Sequence, residues 1–457
     1  MTSQHTADSG TSDYPSIEAP ERPPITEIIG SYRARIEWLD AAGLAHGTVI
    51  ETLLAPDWSA AEARGIEPAA PLEHVAVVGA LPGEVIEVEA RCRLPWPGRK
   101  RKRLKPPMLR VMRVIEAAPE RVGAPCPVFG VCGGCQLQHM DYVAQLAWKT
   151  VRMRSLLADV GFSDASVNET IGCDPPWNYR NHMRFSVDRE GRVGLTARGT
   201  SRVLPLTRCD IAAERINDAL AILARHELPR PQALIRYGIG TGQMLLQPAP
   251  SGKLREELET LGVELCDHEF EEELAGHRFR IRPSSFFQTN TAQANAMARL
   301  ALEALPSGPD VTLVDAYCGV GTFARLMAAR AGRVLAIEES ESAIRDARAN
   351  LSDTPNVEIV KGKVEIILPG LTERLNGLVI DPPRAGCQRP VLDALIARRV
   401  PRVVYISCGP ESLARDLAIL CLVSGAYRLV SLQPLDMFPQ TAHIENIAVL
   451  EAVEAIA

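Results

Sequence analysis

Val311-Thr312-Leu313-Val314-Asp315-Ala316-Tyr317-Cys318-Gly319-Val320-Gly321-Thr322 is the stretch from which the architecture of this chain can be read. Val311 to Ala316 is a short apolar run with Asp315 near its end, and it passes through two glycines into Phe323 to Ala331, whose apolar spacing predicts a helix. Glycines let a backbone turn tightly at the carboxyl end of a strand, which is where open α/β sheets bind their ligands. Further apolar runs at Arg333 to Ile337, Gly377 to Ile380 and Arg402 to Ile406 alternate with helical patterns. From Phe286 to the end, residues 286–457, the chain therefore predicts a doubly wound, Rossmann-like α/β domain.

Three features together define the ligand. Glu338 closes the second strand at the spacing where an acidic side chain accepts hydrogen bonds from a ribose diol. The loop lacks the third glycine of a pyrophosphate-cradling G-x-G-x-x-G, which favours an adenosyl ligand without phosphates over a dinucleotide. Asp381-Pro382-Pro383-Arg384 follows the strand Gly377 to Ile380 and adds a carboxylate and a rigid turn at the same sheet edge. Jointly they predict S-adenosylmethionine.

The strand Arg402 to Ile406 runs into Ser407-Cys408-Gly409-Pro410, after which Glu411 to Val423 has helical periodicity. Cys408 thus sits at a strand-to-helix junction on the ligand side of the sheet, where helix-terminal N–H groups are expected to lower a thiol pKa. Next to a methyl donor, a thiolate has a specific use. C5 of uracil is too weak a nucleophile to take a methyl group, but addition of a thiolate at C6 places enolate charge on C5. The C5 proton must then leave to a base. Phe438-Pro439-Gln440-Thr441-Ala442-His443-Ile444-Glu445 supplies Glu445, with His443 on the same face if the segment is a strand. The cysteines Cys92, Cys173, Cys266, Cys387 and Cys421 read as small apolar residues.

Upstream, Cys126-Pro127-Val128-Phe129-Gly130-Val131-Cys132-Gly133-Gly134-Cys135 gives C-x5-C-x2-C, three soft ligands in a short glycine-bearing loop. Cys209 is the choice for a fourth ligand over Cys173. Zinc held by four cysteines is an alternative, and the spacing differs from the C-x3-C-x2-C of radical enzymes. This cluster lies in a central α+β region, residues 118–285, with a helix around Val143 to Val160 and a strand at His182 to Asp188. Residues 35–117 carry short β-rich runs at Gly47 to Leu53, His74 to Val78, Val85 to Arg91 and Met108 to Ile115, which predict a small OB-like barrel. Its basic loop Arg99-Lys100-Arg101-Lys102-Arg103-Leu104-Lys105, preceded by Trp96, suits RNA phosphates and a stacked base. Residues 1–34 have the polar, acidic composition of a disordered arm.

With 457 residues, 46% hydrophobic and 23% charged, the chain has the make-up of a multidomain globular protein. No run of about 18 apolar residues predicts a membrane span, and the first residues lack a signal-peptide pattern. A cytoplasmic monomer is the expectation, in which eleven cysteines serve metal binding or catalysis rather than disulfides. The net charge of -6 runs against a nucleic-acid partner, but acid is concentrated in the arm and between Glu256 and Glu273.

Taken together, these motifs resemble the RNA uracil-C5 methyltransferases, specifically the bacterial ribosomal type with an N-terminal TRAM barrel and a 4Fe-4S cluster. The likeness spans nearly the whole chain after the arm. It implies a class I SAM-dependent methyltransferase with Cys408 as nucleophile and Glu445 as proton acceptor. Gln288 in Phe286-Phe287-Gln288-Thr289-Asn290, with Tyr317, Thr322, Glu338 and Asp381, would line the S-adenosylmethionine site, and Cys126, Cys132, Cys135 and Cys209 would hold the cluster. It also implies an RNA substrate, 23S ribosomal RNA ahead of transfer RNA. Thr322 stands where relatives often carry Asn, Lys363 lies near a position commonly Asn or Asp, and Gly409 replaces a frequent acidic or amide residue. Two rivals remain: an amino-group methyltransferase, which shares Asp-Pro-Pro but needs no thiolate, and a non-catalytic RNA-binding iron-sulfur protein.

Overall fold

The computed structural model describes residues 27–63, 70–93, 108–162 and 166–454. The first unit is a five-stranded antiparallel sheet of β1 (Glu27–Leu39), β2 (Ala45–Leu54), β3 (His74–Val77), β4 (Val85–Arg93) and β5 (Met108–Glu116), with a short helix α1 (Ser59–Glu62). The strand order is β3-β2-β1-β4-β5, and the edge strands β3 and β5 approach each other so that the sheet curls on itself. Strand β1 corrects the disordered-arm expectation over residues 27–34, while residues 1–26 of that arm lie outside the described residues. The first half of β1 pairs with β4, from Glu27 opposite Arg93 to Arg35 opposite Val85, so its backbone groups are satisfied despite a polar sequence. The basic loop 99–105 lies outside the described residues.

The long helix α2 (Tyr142–Asp159) starts at Asp141, whose carboxylate accepts from Val143 N. A second sheet follows, built from β6 (His182–Val187), β7 (Val193–Thr196), β8 (Val203–Pro205), α3 (Glu214–Leu223), β9 (Gln232–Tyr237), β10 (Gln243–Gln247), α4 (Gly252–Glu259) and β11 (Glu264–Cys266). Its order is β11-β10-β9-β6-β7-β8. The hairpin β12 (Phe270–Leu274) and β13 (His277–Ile281) and the helix α5 (Thr291–Ala304) come next.

The third sheet contains β14 (Gly308–Ala316), α6 (Thr322–Ala328), β15 (Ala331–Glu338), α7 (Glu341–Asn350), β16 (Val357–Lys361), α8 (Val364–Gly370), β17 (Gly377–Ile380), α9 (Arg389–Arg398), β18 (Arg402–Ser407), α10 (Pro410–Leu417), β19 (Tyr427–Leu435) and β20 (Glu445–Ala452). The order β16-β15-β14-β17-β18-β20-β19 reverses direction at β14, which opens a crevice beyond its carboxyl end. Strands β14 to β18 are parallel and β20 runs antiparallel between β18 and β19. Alternate residues feed two cores. Val314, Leu335, Leu378 and Val403 face one side with Met153 and Leu157 of α2, while Leu313, Val334, Val379 and Val404 face the other with α5 and the hairpin. Helix α2 is thereby packed onto the sheet that carries the crevice. Among the described residues, no helix is long and apolar enough to cross a membrane.

Candidate active site

The loop after β14 is held in an unusual conformation. Tyr317 has φ 65, and Gly319 and Gly321 have φ 57 and 85. For tyrosine this left-handed geometry costs on the order of 1 kcal/mol or more and must be imposed by neighbours. Its hydroxyl donates to Glu365 at 2.9 Å, and the next residue, Cys318, donates its N–H to Ile337 O at 3.0 Å. A Cβ on Gly321 would also lie 2.9 Å from Leu351, so glycine is required there twice over. Buried Asp315 accepts from Ala324 N at 2.7 Å and so fixes the start of α6 against the strand.

Glu338 ends β15 beside this loop. One carboxylate oxygen accepts from Gly319 N at 3.0 Å, the other from Glu339 N at 2.9 Å and Ser340 N at 2.7 Å. Gln288, Tyr317, Glu338, Asp381, Cys408 and Glu445 all line one cavity of about 420 Å³. Thr322 lines a smaller adjoining cavity of about 50 Å³, which shares Gln288, Tyr317 and Asp381 with the first. All seven residues expected here thus meet at the switch point of the sheet.

Cys408 and Glu445 are brought together by topology. The last register pair of β18 and β20 is Ser407 opposite Asn446, so Cys408 leaves one strand where Glu445 enters the other. The cysteine turn is tight: Ser407 Oγ accepts from Gly409 N at 3.1 Å, and a Cβ on Gly409 would fall 2.3 Å from the Arg384 carbonyl oxygen. That close approach leaves no room for a side chain at position 409. Electrostatically the cavity is acidic. Burial raises Asp381 to about 7, and burial with help from Asp381 pushes Glu445 well above the carboxylate range. Burial, then Glu445 and Asp381, pushes the Cys408 thiol up to about 11. The expectation that helix-terminal N–H groups lower this pKa is therefore overturned, because desolvation and two carboxylates from other strands outweigh the helix end. His443 also departs from expectation: it is exposed in the loop before β20 while Glu445 is buried, so the two do not share a strand face.

Cys126, Cys132, Cys135 and Cys209 line a separate cavity of about 310 Å³ under the second sheet. Burial raises Cys135 to about 12 and Cys209 to about 11, with the neighbouring cysteines adding to both shifts. Cys173 is elsewhere, its Sγ against Asn290 and Pro175 O. Among the described residues, no group of three His, Cys, Asp or Glu donors is drawn together tightly enough to hold a single metal ion. The four cysteines expected to hold a metal therefore share one cavity without forming a closed coordination site.

The cavity with Cys408 has walls that sequence reading passed over as contributors: exposed Phe286 and Arg384, and half-buried Phe438 and Glu365. Phe286 and Arg384 adjoin motif residues, which is a usable signal; Glu365 has none, since only the fold brings α8 under Tyr317.

Residues 262–453 match the model of the tRNA (uracil-5-)-methyltransferase family. An uncharacterized RNA methyltransferase of Gloeobacter violaceus is 35% identical over 396 residues, covering 75% of this chain and 85% of that protein. The chain belongs to the RNA uracil-5-methyltransferase family. A second uncharacterized RNA methyltransferase, from Halalkalibacterium halodurans, is 34% identical to this uracil-5-methyltransferase over 397 residues, covering 75% of this chain and 86% of the other. The crystal structure of Pyrococcus abyssi tRNA (uracil-54, C5)-methyltransferase with S-adenosyl-L-homocysteine superposes with a TM-score of 0.63 at 22% identity, over 92% of this chain and 99% of that one. That likeness shows a shared fold. The chain is thus an RNA (uracil-5-)-methyltransferase that depends on S-adenosylmethionine.

Proposed function

We propose that this enzyme methylates C5 of a uridine through a covalent bond between Cys408 Sγ and C6 of the base. The observation that carries the reading is the placement of Cys408 and Glu445 at facing strand ends in one acidic cavity with the glycine loop. Gln288, Tyr317, Thr322, Glu338 and Asp381 would hold S-adenosylmethionine, which supplies the methyl group. The residues fit it: a cationic sulfonium relieves the repulsion among Asp315, Asp381 and Glu445, whereas a polyphosphate would add to it. The Cys408 thiolate adds to C6, forming a C–S bond and moving the electron pair of the C5–C6 double bond onto C5. Once C5 is methylated, Glu445 accepts the C5 proton. The double bond re-forms and the C–S bond breaks, returning Cys408. An amino-group methyltransferase would need neither residue.

Cys126, Cys132, Cys135 and Cys209 would hold a 4Fe-4S cluster. Four soft thiols around an open space suit a multi-iron group better than one zinc, which needs its ligands about 2.3 Å from a common point. Its contribution would be to cross-link the loop 126–135 to Cys209, outside the methyl-transfer chemistry. In this reading the TRAM-like barrel starts with β1 at Glu27 rather than at residue 35 and runs to 117, 118–285 is the cluster-bearing region and 286–457 the methyltransferase unit. The RNA is 23S ribosomal RNA, on the strength of the barrel and the cysteine set; transfer RNA is the second reading, favoured by the family model's description. Mass-spectrometric mapping of C5-methyluridine in both RNAs, from cells with and without the protein, decides between them. A 5-fluorouridine RNA should form a covalent adduct with the wild type and none with Cys408→Ala; equal labelling of both would overturn the mechanism.

A further inference from the structure

On the second sheet, strand pairing sets His182 opposite Arg236, and Arg184 projects from the same face two residues along β6. Met183 and Phe185, on the alternate face, are buried in the core. The cationic face borders a cleft of about 560 Å³ whose wall includes Arg184, Arg230, Arg282 and the backbone of Pro283 and Ser284. Arg282 is neutralised by Asp346 at 2.5 Å and Glu269 at 3.3 Å. Arg184 and Arg230 are exposed, and among the described residues neither has a carboxylate within ion-pair distance. Arg236 is buried, spends its guanidinium on the carbonyl oxygens of Pro283 (3.1 Å) and Ser285 (2.7 Å), and has no acidic partner in contact. His182 Nε2 is buried without a hydrogen-bond partner. Burial, then Arg236, Arg180 and Arg184, holds His182 down to about 3. In a chain of net charge -6, this grouping of three arginines without an acidic partner among the described residues calls for an anion.

We propose that the cleft is a phosphate seat for the single-stranded RNA flanking the target uridine, with Arg184 and Arg230 each neutralising one phosphate. The proposal rests on the RNA methyltransferase reading and adds to it where the strand runs. Continuity with the catalytic cavity supports that occupant. Ser284 on the cleft wall is two residues from Phe286 on the cavity wall, a Cα separation of at most roughly 7 Å. Arg184 also lines the cysteine cavity, so a strand on this path would pass between the two. The proline-rich wall, Pro229, Pro231, Pro248 and Pro283, gives sugars an apolar surface.

The test compares the wild type with the double variant Arg184→Ala/Arg230→Ala, binding a fluorescein-labelled, uridine-containing single-stranded RNA across a salt series. Loss of two phosphate contacts should lower the slope of log affinity against log salt by about 1.4, or roughly sevenfold less change over a fourfold rise in salt. The charge-retaining variant Arg184→Lys/Arg230→Lys should keep most of the wild-type slope, and calorimetric binding of S-adenosylmethionine should be the same in all three. An Ala variant with wild-type slope and affinity would overturn the proposal, as would a Lys variant as defective as Ala. Failure of the underlying reading looks different: wild-type protein that binds the RNA with the expected slope but forms no C5-methyluridine.

Discussion

Replacing Glu445 by Gln should stop the reaction at a covalent protein–RNA stage and at the same time make that stage form faster. The Cys408 thiol is raised from its ordinary 9.0 to about 11, which reduces the thiolate at neutral pH about a hundredfold. Burial is the largest cause and Glu445 the second, so removing the charge of Glu445 lifts part of that burden while the burial remains. Removing it should return part of that roughly hundredfold loss of thiolate, displacing the rise of adduct formation with pH to lower pH by less than the whole shift of about two units. Glu445 is itself raised by burial and Asp381, so the two groups titrate as a pair and the gain is largest where the carboxylate is ionised. The assay is quench-flow with RNA and S-adenosylmethionine, reading the adduct on denaturing gels and C5-methyluridine by mass spectrometry. Accumulated methylated adduct without released product is the expected result. Product release at the wild-type rate, or slower adduct formation throughout, would refute the assignment of Glu445 as the base beside a burdened thiol.

Three further outcomes follow from the same geometry. Gly409→Ala places a Cβ 2.3 Å from the Arg384 carbonyl, so it should cost about 1–3 kcal/mol in chemical denaturation and displace Cys408 enough to cut kcat more than S-adenosylmethionine binding. Asp315 is buried and raised from 3.8 to about 7, so the folded state binds its proton more tightly than the unfolded one. Its contribution to stability is whole below about pH 4 and is lost as pH rises through about 7; Asp315→Asn should therefore raise the Tm of the ligand-free protein at pH 8 and leave it little changed at pH 4. Cys209→Ala should abolish iron uptake measured by metal analysis on anaerobically purified protein, and retained stoichiometric iron would remove Cys209 from the ligand set.

What sequence could reveal was set by the range of the physical signal. The strand-loop-helix at Val311 to Phe323 and the acid at Glu338 are local patterns, and both fall at the crevice as read. The pairing of Cys408 with Glu445 was suggested by chemistry, but its geometric cause, β20 inserted between β18 and β19, is a matter of topology. The error on the thiol had the same origin: a helix end is visible in sequence, whereas the desolvation and the carboxylates come from distant strands. Glu272 falls in the acidic stretch between Glu256 and Glu273, yet it is fully buried and accepts from Ile239 N, Gly240 N and Thr291 Oγ1 at 3.1, 3.1 and 3.0 Å. A carboxylate recruited as an acceptor for loop N–H groups leaves no mark in composition. Strand β1 was missed for a related reason, since pairing along β4 rather than apolar content makes its first half a strand.

The segment from Asp436 to Ile444, which delivers Glu445, closes a turn of its own between Phe438 and Thr441 but is otherwise held from outside. Lys149 of α2, fully buried, meets Asp436 at 2.5 Å, and Gln145 one turn earlier exchanges hydrogen bonds with the side chain and N–H of Gln440. Gln440 sits at φ 68, and its carbonyl accepts from both Gln136 N and Leu137 N at 3.0 Å. Gln136 follows Cys135 directly, and its side-chain oxygen accepts from Ala442 N at 3.3 Å. A buried ion pair adds little net stability but is costly to break from one side, by about 3–5 kcal/mol, so it acts here as a register pin rather than as glue. The cysteine loop and α2 together thus hold the left-handed turn at Gln440 from two sides. The position of Glu445, the proposed base, is therefore set in part from the cysteine side of the molecule, which would give the proposed cross-link of the four thiols a mechanical role apart from the chemistry.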